Sequence, residues 1–324
     1  MRTKASSSRP IALLALVTTC SLWGLSFPLM KALGQHLHAR DAGVSSWFVA
    51  SASLVVRFGL GALILLAMRP ALPTRAERAQ GFGLAVSSGI GMLFQMDGLS
   101  YTSASTSAFL TQGYVVILPI VAAIGSRAWP SARIALCVLT ICVGLGVLSR
   151  FDLATLGLGR GETETLLAAC CFAVQILILD SARFRENRAS VVSVVMFVCL
   201  AGVLAPIAFV NARTLADFRL LVASSQSLWL LLALSIPCTA VAFALMNRYQ
   251  PALTASEAGI VYGAEPVFTS LYALFLPSLL GRFAQVPYVN EAPTQPLLVG
   301  GTLVVAANVI LQLPSREKLG PRAG

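Results

Sequence analysis

Residues 134–148 read Ile-Ala-Leu-Cys-Val-Leu-Thr-Ile-Cys-Val-Gly-Leu-Gly-Val-Leu, a run with no charged side chain and a single hydroxyl. Apolar residues here do not alternate with polar ones, so the run does not suit the ~10-residue strands of an outer-membrane barrel. Outward from this run, comparable stretches fill the chain. Ten can be marked, at about 11–31, 47–68, 81–100, 103–124, 132–149, 163–181, 190–210, 227–246, 253–277 and 295–313. A spanning helix needs ~20 apolar residues, so ten of them use most of the 324 residues and leave short connections. Composition agrees: 57% of residues are apolar, 11% are charged, and mean hydropathy is +0.81. Soluble domains carry about 25% charge. A soluble fold and intrinsic disorder are both excluded. The predicted class is an all-α integral membrane protein with ten transmembrane helices.

The first run follows Arg2, Lys4 and Arg9, and Val17-Thr-Thr-Cys20 faintly resembles a lipoprotein box. Yet the run continues past Cys20 through Trp23 to Met30, too long for a cleaved signal. A retained first helix is expected. The net charge is +10. In a membrane protein basic residues mark cytoplasmic loops, so no nucleic-acid partner is expected. With ten spans, Lys31, Arg40, Arg150, Arg160, Arg213, Arg219 and Arg282 fall on one face, and Arg57 falls within a span. The remaining 15 of the 23 Lys and Arg fall on the other face, with both termini. That asymmetry predicts cytoplasmic termini. The seven cysteines lie inside apolar runs and read as small buried hydrophobes rather than a disulfide framework.

The chain divides into an N-tail (1–10), five spans (11–149), a linker (150–162) with Gly157, Gly159 and Gly161, five more spans (163–313) and a C-tail (314–324). An odd number of spans per half inserts the halves in opposite orientation, as two inverted five-helix repeats. Weak self-similarity agrees. Thr102–Ser107 and Thr254–Glu257 open the fourth span of each half, and Pro119 and Pro266 follow, offset by about 150 residues.

Ionisable groups inside spans cost several kcal/mol on insertion and face a protein interior or a water-filled cavity. Arg57, Asp97 and Glu265 are of this kind, while Glu257 lies near an interface. Two readings stay open: a polar pathway with a carboxylate that takes up a proton, or a buried pair of Arg57 with Asp97 or Glu265. Pro28, Pro119 and Pro266 cannot donate to the carbonyls of Gly24, Val115 and Tyr262. Freed carbonyls in hydrocarbon belong where the backbone lines protein or a cavity, so the three prolines are candidate helix breaks beside a midplane site. Trp23, Gln95, Gln112, Tyr114 and Tyr262 lie near them and join Arg57, Asp97 and Glu265 as candidate cavity residues. Gly89, Gly91, Gly300 and Gly301 suit close helix contact. Catalytic and metal residues are not expected. Lys4, Lys31 and Lys318 do not follow glycine, so there is no Walker A loop. The two histidines, His36 and His38, are expected in the first external loop, Ala32–Ser46.

Several short motifs together resemble the EamA-type drug/metabolite transporters. They are Trp23-Gly-Leu-Ser-Phe27 with Lys31, Arg57-Phe58, Tyr101-Thr-Ser-Ala-Ser105 with Ala108-Phe-Leu110 and Pro119, and Glu265-Pro-Val-Phe268. The resemblance implies ten helices in two inverted EamA repeats around a central cavity, and secondary transport, often export, of metabolites, amino acids or drugs. The chain departs from the family where Gly-Glu-Arg or Gly-Glu-Lys is common: Gly125-Ser-Arg127 and Gly281-Arg-Phe283 lack the acid. The last external loop, Arg282–Thr294, is long. The expected function is alternating-access transport of a small solute in a bacterial cytoplasmic membrane, with Glu265 as coupling or structural carboxylate and Arg57 as counter-charge or anion contact. Expected partners are the solute and membrane lipid, with proton coupling and a homodimer left open, and no cofactor. The rivals are a non-transporting membrane scaffold or assembly protein that keeps the fold, and a lipid-acting membrane enzyme, which would need a catalytic cluster that the sequence lacks.

Overall fold

A computed structural model describes residues 8–126, 132–148, 158–253 and 255–312. Most of the N-tail, Arg127, most of the linker and the C-tail lie outside the described residues. Those described form helices and connecting turns, with no strand among them. In chain order the helices are α1 (Ser8–Arg40), α2 (Ser46–Ala67), α3 (Arg75–Gly98), α4 (Ala104–Thr111), α5 (Tyr114–Ser126), α6 (Ala132–Leu148), α7 (Arg160–Asp180) and α8 (Ala189–Asn211). They continue with α9 (Asp217–Leu220), α10 (Ser225–Ser235), α11 (Ala242–Tyr249), α12 (Ala255–Tyr262), α13 (Glu265–Ala273), α14 (Leu276–Ala284) and α15 (Gln295–Gln312). Among the described residues six stretches are long and apolar enough to cross a membrane. A seventh counts if α13 and α14, bent by 62°, form one span. Helices α6 and α15 are apolar but shorter.

Local chemistry sets the helix ends. Thr74 caps α3 with a reciprocal box: its hydroxyl takes the Glu77 N–H at 3.2 Å, and its own N–H donates to Glu77 Oε2 at 2.8 Å. Ser103 caps α4 by accepting the Thr106 N–H at 3.0 Å. Helix α1 differs from the sequence reading, because it runs through Arg40 and leaves only a short loop before Ser46. Leu29, Leu33 and Leu37 follow at helical spacing and are all buried, so the core-facing stripe outlasts the apolar run. His36 is therefore on a helix, bonded through Nδ1 to Ala284 O at 2.7 Å and through Nε2 to Ser224 Oγ at 2.9 Å. The last loop is not loose either. Val286 and Tyr288 are buried, and Glu291 accepts the Ala104 N–H at 2.7 Å at the start of α4.

Two of the three expected helix breaks also differ. Helix α1 runs on through Pro28 and α5 through Pro119. The chain breaks instead at Gln112–Gly113, between α4 and α5, and at Gly263–Ala264, just before Pro266. The eight-residue α4 and α12 begin 151 residues apart, at 104 and 255, and so do α5 and α13, at 114 and 265. A π-helical segment, Ile236–Val241, containing Pro237, joins α10 to α11. Cysteines were expected to be buried throughout. Cys20, Cys137 and Cys238 are, whereas Cys142 and Cys170 are exposed on the outer faces of their helices.

The two halves of the chain interlock. Helix α2 packs on α8, α3 on α7 and α8, α6 on α15, and α1 on α13. The crossing of α1 with α13 depends on Gly24: a Cβ there would lie 2.8 Å from Phe268 Cβ and 2.9 Å from Thr269 N.

Candidate functional site

A cavity opens beside the two breaks. Helix α1 contributes Trp23 and Ser26, α2 Arg57, α3 Met92 and Gln95, α4 Thr111 and α5 Tyr114. From the other half come Phe172, Gln175 and Ile176 of α7, Phe243 and Met246 of α11, Tyr262 of α12 and Glu265 of α13. Trp23 makes one aromatic wall, with ring centroids 5.2 Å from Phe243 and 5.5 Å from Tyr262. The breaks bring Tyr114 and Glu265 to the cavity as the first residues of their helices.

The break before α13 is held from across the interface. Pro266 leaves the Tyr262 carbonyl without its helical donor, and Gln112 Nε2 donates to that carbonyl at 3.2 Å. Gln112 Oε1 in turn accepts from Tyr114 Oη at 3.2 Å. Gln112 thus stands at one break and satisfies the other, as hydrocarbon surroundings demand. It is not itself a lining residue of the cavity.

The two ionisable groups inside, Arg57 and Glu265, have no ion-pair partner among the described residues. Arg57 is 1% exposed. Its Nε donates to Thr239 Oγ1 at 2.6 Å, Nη1 to Met30 Sδ at 3.2 Å and Nη2 to Cys238 O at 3.5 Å. Two of these acceptors belong to the π-helical segment, a feature that recurs at functional sites. Among the described residues Arg57 forms no ion pair, so neither of the two expected carboxylates, Asp97 nor Glu265, holds it. Glu265 is 6% exposed, and its carboxylate has no hydrogen-bond or ion-pair partner among the described residues. The Trp23 Nε1 donor is also buried without a partner. Gln175 Nε2 rests on the thioether of Met246 at 3.3 Å, a weak acceptor. The cavity therefore offers donors and an acceptor whose bonds are unmade or weak, beside aromatic walls.

Asp97 is not at the cavity. It is fully buried at the end of α3 and pairs with Arg160 Nη2 at 2.5 Å. The reason is the packing of α3 on α7, which brings the Gly98 and Gly161 backbones together and delivers Arg160 to the last turn of α3. Arg160 also reaches Glu164 at 2.8 Å and Tyr101 Oη at 2.8 Å. Other ion pairs lie at helix ends. Arg188 pairs with Glu77 at 2.7 Å and Arg9 with Glu257 at 2.6 Å. Arg213 reaches both Asp41 and Asp217 and holds their carboxyls below the usual carboxylate range. Thr111, Gln175, Thr239 and Glu291 went unremarked in the sequence. Pro237 inside an apolar run was the one signal for the π-helical segment. Nothing local marks Glu291, whose partners lie in the other half.

Comparisons with known proteins agree on the broad class. The chain is 26% identical over 300 residues to an uncharacterized transporter of Archaeoglobus fulgidus, covering 93% of this chain and 85% of the relative. A solved structure, titled only crystal structure of protein, matches the fold with a TM-score of 0.59 at 17% identity, over 97% of this chain and 100% of that one. No protein-family model matches the chain. Apolar helices of spanning length and a transporter relative together mark an integral membrane protein.

Proposed function

We propose that the protein is a secondary transporter of the EamA type, which moves a small solute by alternating access through the cavity around Arg57 and Glu265. It has ten spans in two inverted five-helix repeats and sits in a bacterial cytoplasmic membrane with both termini in the cytoplasm. It acts without enzymatic chemistry or a cofactor, and export is the expected direction. The observation that carries this reading is the cavity itself: both halves line it, two helices break beside it, and among the described residues Arg57 and Glu265 have no ion-pair partner there and Trp23 Nε1 has no acceptor. Broken helices at a repeat interface are where transporters of this architecture bind solute. The constant offset of 151 residues between α4–α5 and α12–α13 supports the repeats. The end pairs support the span count, because each joins residues assigned to one face: Arg188 with Glu77 and Arg9 with Glu257 on one, Arg213 with Asp41 and Arg160 with Asp97 on the other.

A thermal-shift screen of the purified protein against a metabolite panel, followed by flux of the hits in liposomes, tests the reading. Flux of a hit that is lost in Glu265→Gln supports it. Hits that stabilise the protein without any flux favour the non-transporting scaffold.

A further inference from the structure

The cluster on Arg160 carries one charge too many. Arg160 Nη2 meets Asp97 Oδ2 at 2.5 Å, and Nε meets Glu164 Oε1 at 2.8 Å. The other two oxygens, Asp97 Oδ1 and Glu164 Oε2, are buried and have no hydrogen-bond partner among the described residues. Nη2 and Nε form one edge of the guanidinium, so the two carboxyl groups stand side by side on it. Every packed element adds its charged or titratable groups. Helix α7 adds Arg160 itself and Glu162, and Glu162 is taken by the Thr102 hydroxyl at 2.8 Å. The turn after α3 adds Tyr101, which is bonded to Arg160 and, through its hydroxyl, to Ser46 of α2 at 3.2 Å. Helix α1 adds His38, which lies in the field of Asp97 and makes no hydrogen bond to either carboxyl among the described residues.

One guanidinium thus serves two buried carboxylates. Like charges this close disfavour joint ionisation, and a buried oxygen without a donor costs free energy of its own. A single proton corrects both faults, because it cancels the excess charge and supplies the missing donor. We propose that Asp97 and Glu164 share one proton and, resting on the transport reading above, that this pair rather than Glu265 carries the coupling proton.

The backbone makes such a proton consequential. Asp97 ends α3, Glu164 lies in the first turns of α7, and the two helices belong to different halves. They touch without side chains between them: a Cβ on Gly98 would lie 2.9 Å from Gly161 O, and one on Gly161 would lie 2.7 Å from Gly98 O. With the proton bound, the two carboxyls hold this contact closed. Without it, two adjacent carboxylates on one guanidinium push the helix ends apart. Proton occupancy and closure of this end are then linked quantities.

The test uses the purified full-length protein in detergent and follows the infrared carbonyl band of protonated carboxyl groups as pH is varied. Glu164→Gln, Asp97→Asn and Glu265→Gln are compared after thermal unfolding shows that each is folded. The expected result is a titrating component that is lost in Glu164→Gln and in Asp97→Asn and kept in Glu265→Gln. If Asp97→Asn does not fold, Glu164→Gln alone decides. A component that survives Glu164→Gln, or no titrating component in the wild type, overturns the shared proton. In liposomes, Glu164→Gln should flatten the pH dependence of flux. An unchanged pH profile overturns the coupling role, whereas a wild type without flux overturns the transport reading and leaves the shared proton standing.

Discussion

Where α3 begins, Glu77 is 2% exposed and takes four hydrogen bonds: one from Thr74 N–H at 2.8 Å and three from Arg188, through its backbone N–H, Nε and Nη2, at 2.7–3.0 Å. At the centre of the molecule Glu265 is nearly as buried and takes none from the described residues. Arg57 lies on the same cavity and is spent on a hydroxyl, a thioether and a carbonyl. A buried charge without a counter-charge is expensive, so the two regions have different uses. The end of the bundle commits its charge to holding α3 against the start of α8. The centre leaves Arg57 and Glu265 without a charged partner among the described residues, as the proposed solute site requires.

Substitutions should separate the two regions. Glu77→Ala removes the carboxylate acceptor of Arg188, which among the described residues keeps only its bond to Leu72 O, and half of the reciprocal α3 cap. It should lower stability measurably, by less than a fully buried pair would because Arg188 is half exposed. Denaturant or thermal unfolding in detergent reads this. Arg188 holds the Glu77 carboxyl well below the usual range. A lowered folded value means that its stabilisation is complete above about pH 4.3 and is lost as pH falls through the folded value. Wild-type stability should therefore drop on acidification, and the alanine variant should lose less.

Arg57→Leu should do the reverse. No carboxylate is stranded, and Thr239 keeps its bond to Leu234 O at 2.9 Å, so unfolding should change little. Solute flux should fall on the order of 10- to 100-fold, the worth of a hydrogen bond to a charged group. Wild-type flux in a folded Arg57→Leu protein would make the arginine a packing group and erase the contrast. Gln112→Leu sharpens the contrast at the breaks. It strands the Tyr262 carbonyl and should cost about 2 kcal/mol of stability, together with flux. Gln112→Glu, which presents no amide donor to that carbonyl, should not rescue it. The smallest effect belongs to Asp41→Asn at the exposed end of α1, where Arg213 keeps Asp217. Stability and flux should both stay within experimental scatter, and the slight acid sensitivity set by Asp41 should disappear.

Much of this arrangement was readable before any fold was known, for local reasons. Apolar runs announce helices, and Arg57 and Glu265 stand out because a charge in such a run is costly. Two of the three expected break positions were misread: α1 and α5 absorb Pro28 and Pro119, and the first half parts at Gln112–Gly113, whereas the second half parts just before Pro266. Partners were not readable either. Arg57 meets Thr239, 182 residues away, Gln112 meets Tyr262, 150 away, and Ala104 meets Glu291, 187 away. Such pairs follow from how helices of the two halves pack, which no local pattern encodes. Asp97 shows the cost of reasoning from burial alone: it is buried, as expected, but by Arg160 and the α3–α7 contact rather than by a cavity.

The most direct test of a central, alternately exposed cavity is chemical labelling at Ser26, which lines it and is buried. Ser26→Cys is placed in a background without the seven native cysteines, checked for wild-type unfolding, and sealed into oriented vesicles. A membrane-impermeant thiol reagent is then applied to one face or the other. The account predicts labelling from both faces, slowed from both by a transported solute. Failure to label from either face in the folded protein, or labelling from one face that solute does not alter, would contradict it.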